Sequence, residues 1–206
     1  MKKVFFYIAL TSMMTSCMTY TGMYKVGLQE VESPKNVKEQ FGETKVVNFQ
    51  DNGVTKYSYE DGLIKIIWLP LNTEFSFLLL NKSDHSMKII WDEAVYVNEN
   101  GLSQKVFHSG IKYTDRNNSQ PPTTIVKGAS IEDLVMPTDN AYFVGGEYGG
   151  WREKPLFINY SSTSEGLTAL TSSYIGKVVK VLLPIKIEET TNEYLFTFKV
   201  EDFVKK

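Results

Sequence analysis

Two histidines, one cysteine and a few adjacent carboxylates are the side chains of this 206-residue chain with the clearest capacity for chemistry. A zinc site takes three or four nitrogen, sulfur or carboxylate ligands. His85 and His108 lie on different segments with no His-x-x-x-His spacing, so each reads as a surface or hydrogen-bonded histidine. Asp92-Glu93 and Glu132-Asp133 are neighbours in sequence. On a strand, neighbours point to opposite faces, so neither pair makes a two-carboxylate site, and a glycosidase would have to assemble one from separate strands. No Gly-x-Ser-x-Gly elbow is present, and "SSTSEG" reads as a solvated loop. "YIGKVV" lacks the upstream glycine and the Ser/Thr of a phosphate loop. The expectation is a protein that is not an enzyme, with no metal and no cofactor.

Cys17 is different, because its context is chemical. Lys2 and Lys3 precede a mostly apolar run from Val4 to Met14, then Thr15 and Ser16. That is the layout of a signal peptide, and it falls short of the roughly 20 apolar residues a membrane-spanning helix needs. Met14-Thr15-Ser16-Cys17 resembles the lipobox of bacterial lipoprotein precursors, with Met for the more usual Leu and Ser for the more usual Gly or Ala. The resemblance implies cleavage before Cys17, a diacylglyceryl thioether on its sulfur and acylation of the new amine. Membrane lipid is thus the first expected partner, and each buried CH₂ contributes about 0.8 kcal/mol to the anchor. In enterobacterial lipoproteins an Asp after the Cys retains the protein in the inner membrane. Met18 stands here, and no acidic residue precedes Glu30. The resemblance therefore implies a cell-envelope protein on the outer membrane, facing the periplasm.

Charge and size set further bounds. The net charge is −2, from 22 basic and 24 acidic residues. Loss of Lys2 and Lys3 leaves 20 against 24, a net charge of −4. That balance argues against a nucleic-acid partner, which requires a basic face. The single cysteine leaves no disulfide, so packing alone must hold an exported domain together. The expected organisation is a signal peptide over 1–16, a lipidated Cys and tether over 17–40, with a short helix or an entering strand as the alternatives within it, and one domain over 41–206.

Period-2 alternation dominates that domain. Val179, Val181, Leu183, Ile185 and Ile187 share one strand face, and Tyr194, Phe196, Phe198 and Val200 share another. The polar link between them predicts a hairpin, and Pro184 must sit at an edge or a break in the ladder. "GLIKIIWLPL" is apolar on both faces, as in a strand under cover. Phe75, Phe77 and Leu79 line one face of the next strand, and Met87, Ile89, Trp91, Val95 and Val97 are expected to line another. Trp68 and Trp91 are expected in the core. Nine or ten short strands without a long amphipathic helix predict an all-β, mostly antiparallel β-sandwich. The strings "FLLLNKSDHSMKIIWDEAVYVNENG", "PPTTIVKGASIEDLVMP" and "GKVVKVLLPIKI…EYLFTFKV" resemble a group of uncharacterised envelope lipoproteins with an immunoglobulin-like sandwich. That resemblance spans about residues 62–203 and implies a fold without implying catalytic residues.

Between Asn140 and Tyr174 the alternation fails, and a loop is expected. Within "YFVGGEYGGWREKP", Tyr142, Tyr148, Trp151 and Arg152 are of the types enriched at binding hot spots. The alternative is that Trp151 folds back to plug one end of the sandwich. The expected function is a non-catalytic interaction module for another envelope protein. The alternative is a glycan-binding protein using the aromatic loop around Trp151.

Overall fold

The computed structural model describes residues 19–35, 44 and 46–206. Cys17 and the lipobox lie outside the described residues. Among the described residues the elements follow in this order: β1 (Tyr20–Glu32), β2 (Val46–Asp51), β3 (Val54–Glu60), β4 (Ile64–Pro70), β5 (Phe75–Asn81), β6 (Met87–Ile89), β7 (Val95–Val97), β8 (Ser103–Phe107), β9 (Thr123–Ile125), β10 (Ser130–Pro137), β11 (Ala141–Val144), β12 (Gly150–Glu153), β13 (Tyr160–Ser161), α1 (Ser164–Tyr174), β14 (Val178–Ile187) and β15 (Thr190–Lys205). No described helix is long and apolar enough to cross a membrane.

Thirteen of the described strands form one curled sheet, ordered β13-β1-β15-β14-β7-β8-β10-β5-β4-β3-β2, with β6 beside β14 and β9 beside β6. It doubles over where β8 meets β10 through only Phe107↔Met136 and Val106↔Pro137. Two layers then face each other, which makes this an all-β antiparallel sandwich, as the alternation predicts. Aromatic side chains fill the gap. Trp68 on β4 packs 5.0 Å from Phe196 and 5.4 Å from Phe198 on β15, edge-on. Phe75 lies 4.6 Å from Phe198. Such pairs add about 0.5–1.5 kcal/mol each beyond their burial. Trp68 and Trp91 are fully buried, as expected.

The β14–β15 hairpin closes on Ile187↔Thr190, so its turn is Glu188-Glu189 alone. Pro184 stands where the other neighbour of β14 changes from β6 to β7. Its carbonyl accepts from the Ile90 N–H at 3.0 Å, and the break removes the need for its own missing donor.

Three expectations are sharpened or corrected. Most of the described part of the expected tether, Tyr20–Glu32, is a strand: β1 pairs with β15 along nearly its whole length, with Val26 and Leu28 in the core. Register shifts at Lys25/Val26 and Leu28/Glu30 break its alternation, because each bulge moves later side chains to the other face. Gly22 is required there, since a Cβ would lie 2.4 Å from the Val204 carbonyl oxygen. Second, Tyr96 rather than Val95 or Val97 enters the core. The 3₁₀ turn Trp91–Glu93 inserts between β6 and β7 and reverses the parity. Third, the stretch from Asn140 to Tyr174 is not one loop. It folds as the hairpin β11–β12, the short strand β13 and α1. Thr163 caps α1, its Oγ1 accepting from the Gly166 N–H at 3.0 Å.

Candidate functional site

The β11–β12 hairpin carries the residues singled out in sequence. Its register sets Tyr142 opposite Arg152 and Phe143 opposite Trp151. Strand alternation therefore divides the four candidates. Tyr142 and Arg152 share one face of the hairpin, Trp151 lies on the other, and Tyr148 stands in the connecting turn, 87% exposed. The glycines are structural. Gly146 and Gly150 have φ of 104° and 142°, and a Cβ on Gly149 would meet the Val144 carbonyl oxygen at 2.4 Å.

Trp151 is half-buried. Tyr113 lies edge-on at 5.5 Å and Phe143 at 5.7 Å, and the Arg116 guanidinium lies 4.9 Å from the ring centroid. Arg116 is fixed by donating from Nε to the Thr138 carbonyl at 2.9 Å and from Nη1 to the Tyr113 carbonyl at 2.7 Å. A Tyr113 Oη–Glu153 hydrogen bond ties the loop to β12 and raises the phenol to about 12. Trp151 thus has ring neighbours from both the hairpin and the preceding loop. It braces the hairpin against Tyr113, and with Ile111, Lys112, Tyr113 and Thr114 it lines a hollow of about 410 Å³. Arg152 turns back on its own hairpin, donating to the Trp151 and Tyr148 carbonyls at 3.0 and 3.3 Å. Lys154 Nζ lies 5.3 Å from the Tyr142 ring centroid. Sequence reasoning missed Tyr113, Arg116 and Phe143. The paired glycines between aromatics were the available sign of a hairpin.

A second site lies on the outer face of the β2–β3–β4–β5–β10 layer. Its inner face supplies Trp68, Phe75, Phe77 and Leu79 to the core. The alternate residues are also apolar: Ile67 and Leu78 are cross-strand neighbours, and Ser76 lies between Leu69 and Leu134. With Phe49 on β2 they line a groove of about 630 Å³. Ile67, Leu69, Leu78 and Leu134 are half-buried by one another, and Phe49 is 37% exposed. At one end Lys56 pairs with Asp51 at 2.7 Å; at the other, Glu132, Asp133 and Ser109 complete the lining. The two-faced apolar pattern of "GLIKIIWLPL" marked this surface in sequence, but as a strand under cover.

The histidines stand apart from one another. His85 pairs with Glu188 on the surface at 3.4 Å. His108 stacks on Trp91 with centroids 4.2 Å apart and rings 2° from parallel. Its Nδ1 lies 3.2 Å from Asp133 Oδ2, while Asp133 Oδ1 accepts from the Ser109 and Leu134 N–H groups. Among the described residues His108 Nε2 has no hydrogen-bond partner. The bonds of the histidine–aspartate pair fix the β8 end against β10. No group of three or more His, Cys, Asp or Glu among the described residues is placed to hold a metal. No family model, curated protein or solved structure matches this chain.

Proposed function

We propose that this chain is a lipid-anchored cell-envelope protein, held through acylated Cys17 on the periplasmic side of the outer membrane, whose β-sandwich binds another envelope protein without catalysis. The apolar groove on the outer sheet face is the observation that carries the binding role. A strand face that looks to water ordinarily alternates to polar residues. Here four half-buried aliphatic side chains and Phe49 stay together on it. Contiguous exposed apolar surface marks an interaction site, and an extended apolar segment of a partner fits a groove running across strands. Cross-linking from Leu78 in intact cells tests this: one dominant polypeptide is expected, and its loss on Leu69→Lys. A spread of unrelated products, unchanged by Leu69→Lys, contradicts it.

The Trp151 hollow supports a second reading, glycan binding. An aromatic face flanked by Lys112 and Thr114 matches sugar stacking with polar contacts at the ring edge. Envelope glycans would then quench Trp151 fluorescence in a saturable way, and Trp151→Ala would abolish the effect. Titrations that are flat or unaffected by that substitution count against it.

A further inference from the structure

We propose that β2 is the pairing edge of a homodimer, in which two copies join antiparallel about Asn48. β2 ends the sheet, with β3 on one side and no paired strand on the other among the described residues. The β2–β3 turn consists of Asn52 and Gly53 alone, with φ of 50° and 79°, and it closes on Asp51↔Val54. A two-residue turn of this kind closes on a hydrogen-bonded pair, and the pairs alternate from there. Asp51, Phe49 and Val47 therefore spend their backbone groups on β3. Gln50, Asn48 and Val46 direct theirs outward, away from the sheet.

Native edges are guarded by lysine, proline or inward-pointing charge. Among the described residues of β2 there is one charge, Asp51, already paired with Lys56. Val47 is 53% exposed and Phe49 37%. The edge is self-complementary. Pairing about Asn48 lets the two Asn48 residues exchange both backbone hydrogen bonds, and sets Val46 against Gln50. It also sets Val47 against Phe49 twice, in the closely spaced non-hydrogen-bonded pairs where side chains meet best. A one-residue slip of register, with Asn48 opposite Val47 or Phe49, would set outward backbone groups against groups already bonded to β3. Phe49 also lines the outer groove, so the axis brings two grooves together. The dimer does not depend on the partner-binding reading, and its failure would leave cross-linking from Leu78 unaffected.

The test is disulfide trapping of the full-length chain in intact membranes. Residues of a hydrogen-bonded pair have Cα atoms about 5.5 Å apart, within the range a disulfide spans. Asn48→Cys is expected to give a reducible band of twice the chain mass. Gln50→Cys, four residues out of register with itself, is expected to give at least tenfold less. Adding Val47→Lys to Asn48→Cys is expected to cut the dimer by a similar factor, and Cys17→Ala in that background to leave it in place. All three side chains altered on β2 are exposed, so the fold survives. Absence of the Asn48→Cys dimer, equal trapping at residue 50, or a cross-link only to a different polypeptide would overturn the proposal.

Discussion

Leu28→Ala asks whether β1 belongs to the fold or is a leash. Leu28 is 4% exposed and packs in the main core, opposite Phe198 of β15. Truncating a buried leucine removes its transfer free energy and leaves a cavity, at a cost of 2–5 kcal/mol. The site is one layer deep on a strand with bulges, which lets part of the space collapse, so about 3 kcal/mol is expected. For a domain of this size 1 kcal/mol shifts Tm by roughly 2–4 °C, which gives a fall of about 6–12 °C. The assay is thermal and urea unfolding followed by near-UV circular dichroism, where the buried aromatics report. Met23→Ala on the same strand is the control. Met23 is 47% exposed, and its loss should cost no more than about 0.5 kcal/mol. If Leu28→Ala also changes stability by less than about 0.5 kcal/mol, β1 is dispensable and the packing argument fails.

Thr163→Ala removes the α1 cap and should lower stability by about 1 kcal/mol in urea unfolding. Asp92 lies below the usual carboxylate range because the Ser119 hydroxyl and then the Gln120 N–H bond its charged form. Its contribution is present above the unfolded value near 4 and is lost as pH falls through the lower folded value, so Asp92→Asn should flatten the acid limb of the stability curve below about pH 4. Burial pushes the Tyr59 phenol up to about 12. The neutral form is therefore favoured in the fold, and stability should drain away as pH rises from about 10 to 12, less steeply in Tyr59→Phe.

The strands with unbroken alternation could be read directly. Val179 to Ile187 and Tyr194 to Val200 point inward as their spacing requires, because one face is buried against a second layer. β1 was hidden by its two bulges, and Tyr96 by the 3₁₀ turn before it, since both devices shift parity without changing composition. α1 was hidden in a serine-rich run with a weak apolar stripe, in which Leu167 alone is fully buried. At the hairpin, Trp151 could be found but its companions could not. Tyr113 and Arg116 reach it from a distant loop, and register then separates it from Tyr142 and Arg152. The outer groove was visible only as the anomaly of an apolar second face. Alternation tells which residues share a face, and leaves open whether another layer covers it.

Photo-cross-linking from Leu78 in living cells bears most directly on the proposed role. A photoreactive residue at Leu78, in the groove, and another at Val54, exposed on the same hairpin layer, would be irradiated in the acylated protein, and the products captured and identified. The account predicts one dominant envelope polypeptide at position 78, absent at position 54 and lost on Leu69→Lys or Cys17→Ala. The same products at both positions, or none at 78 above background, would contradict it.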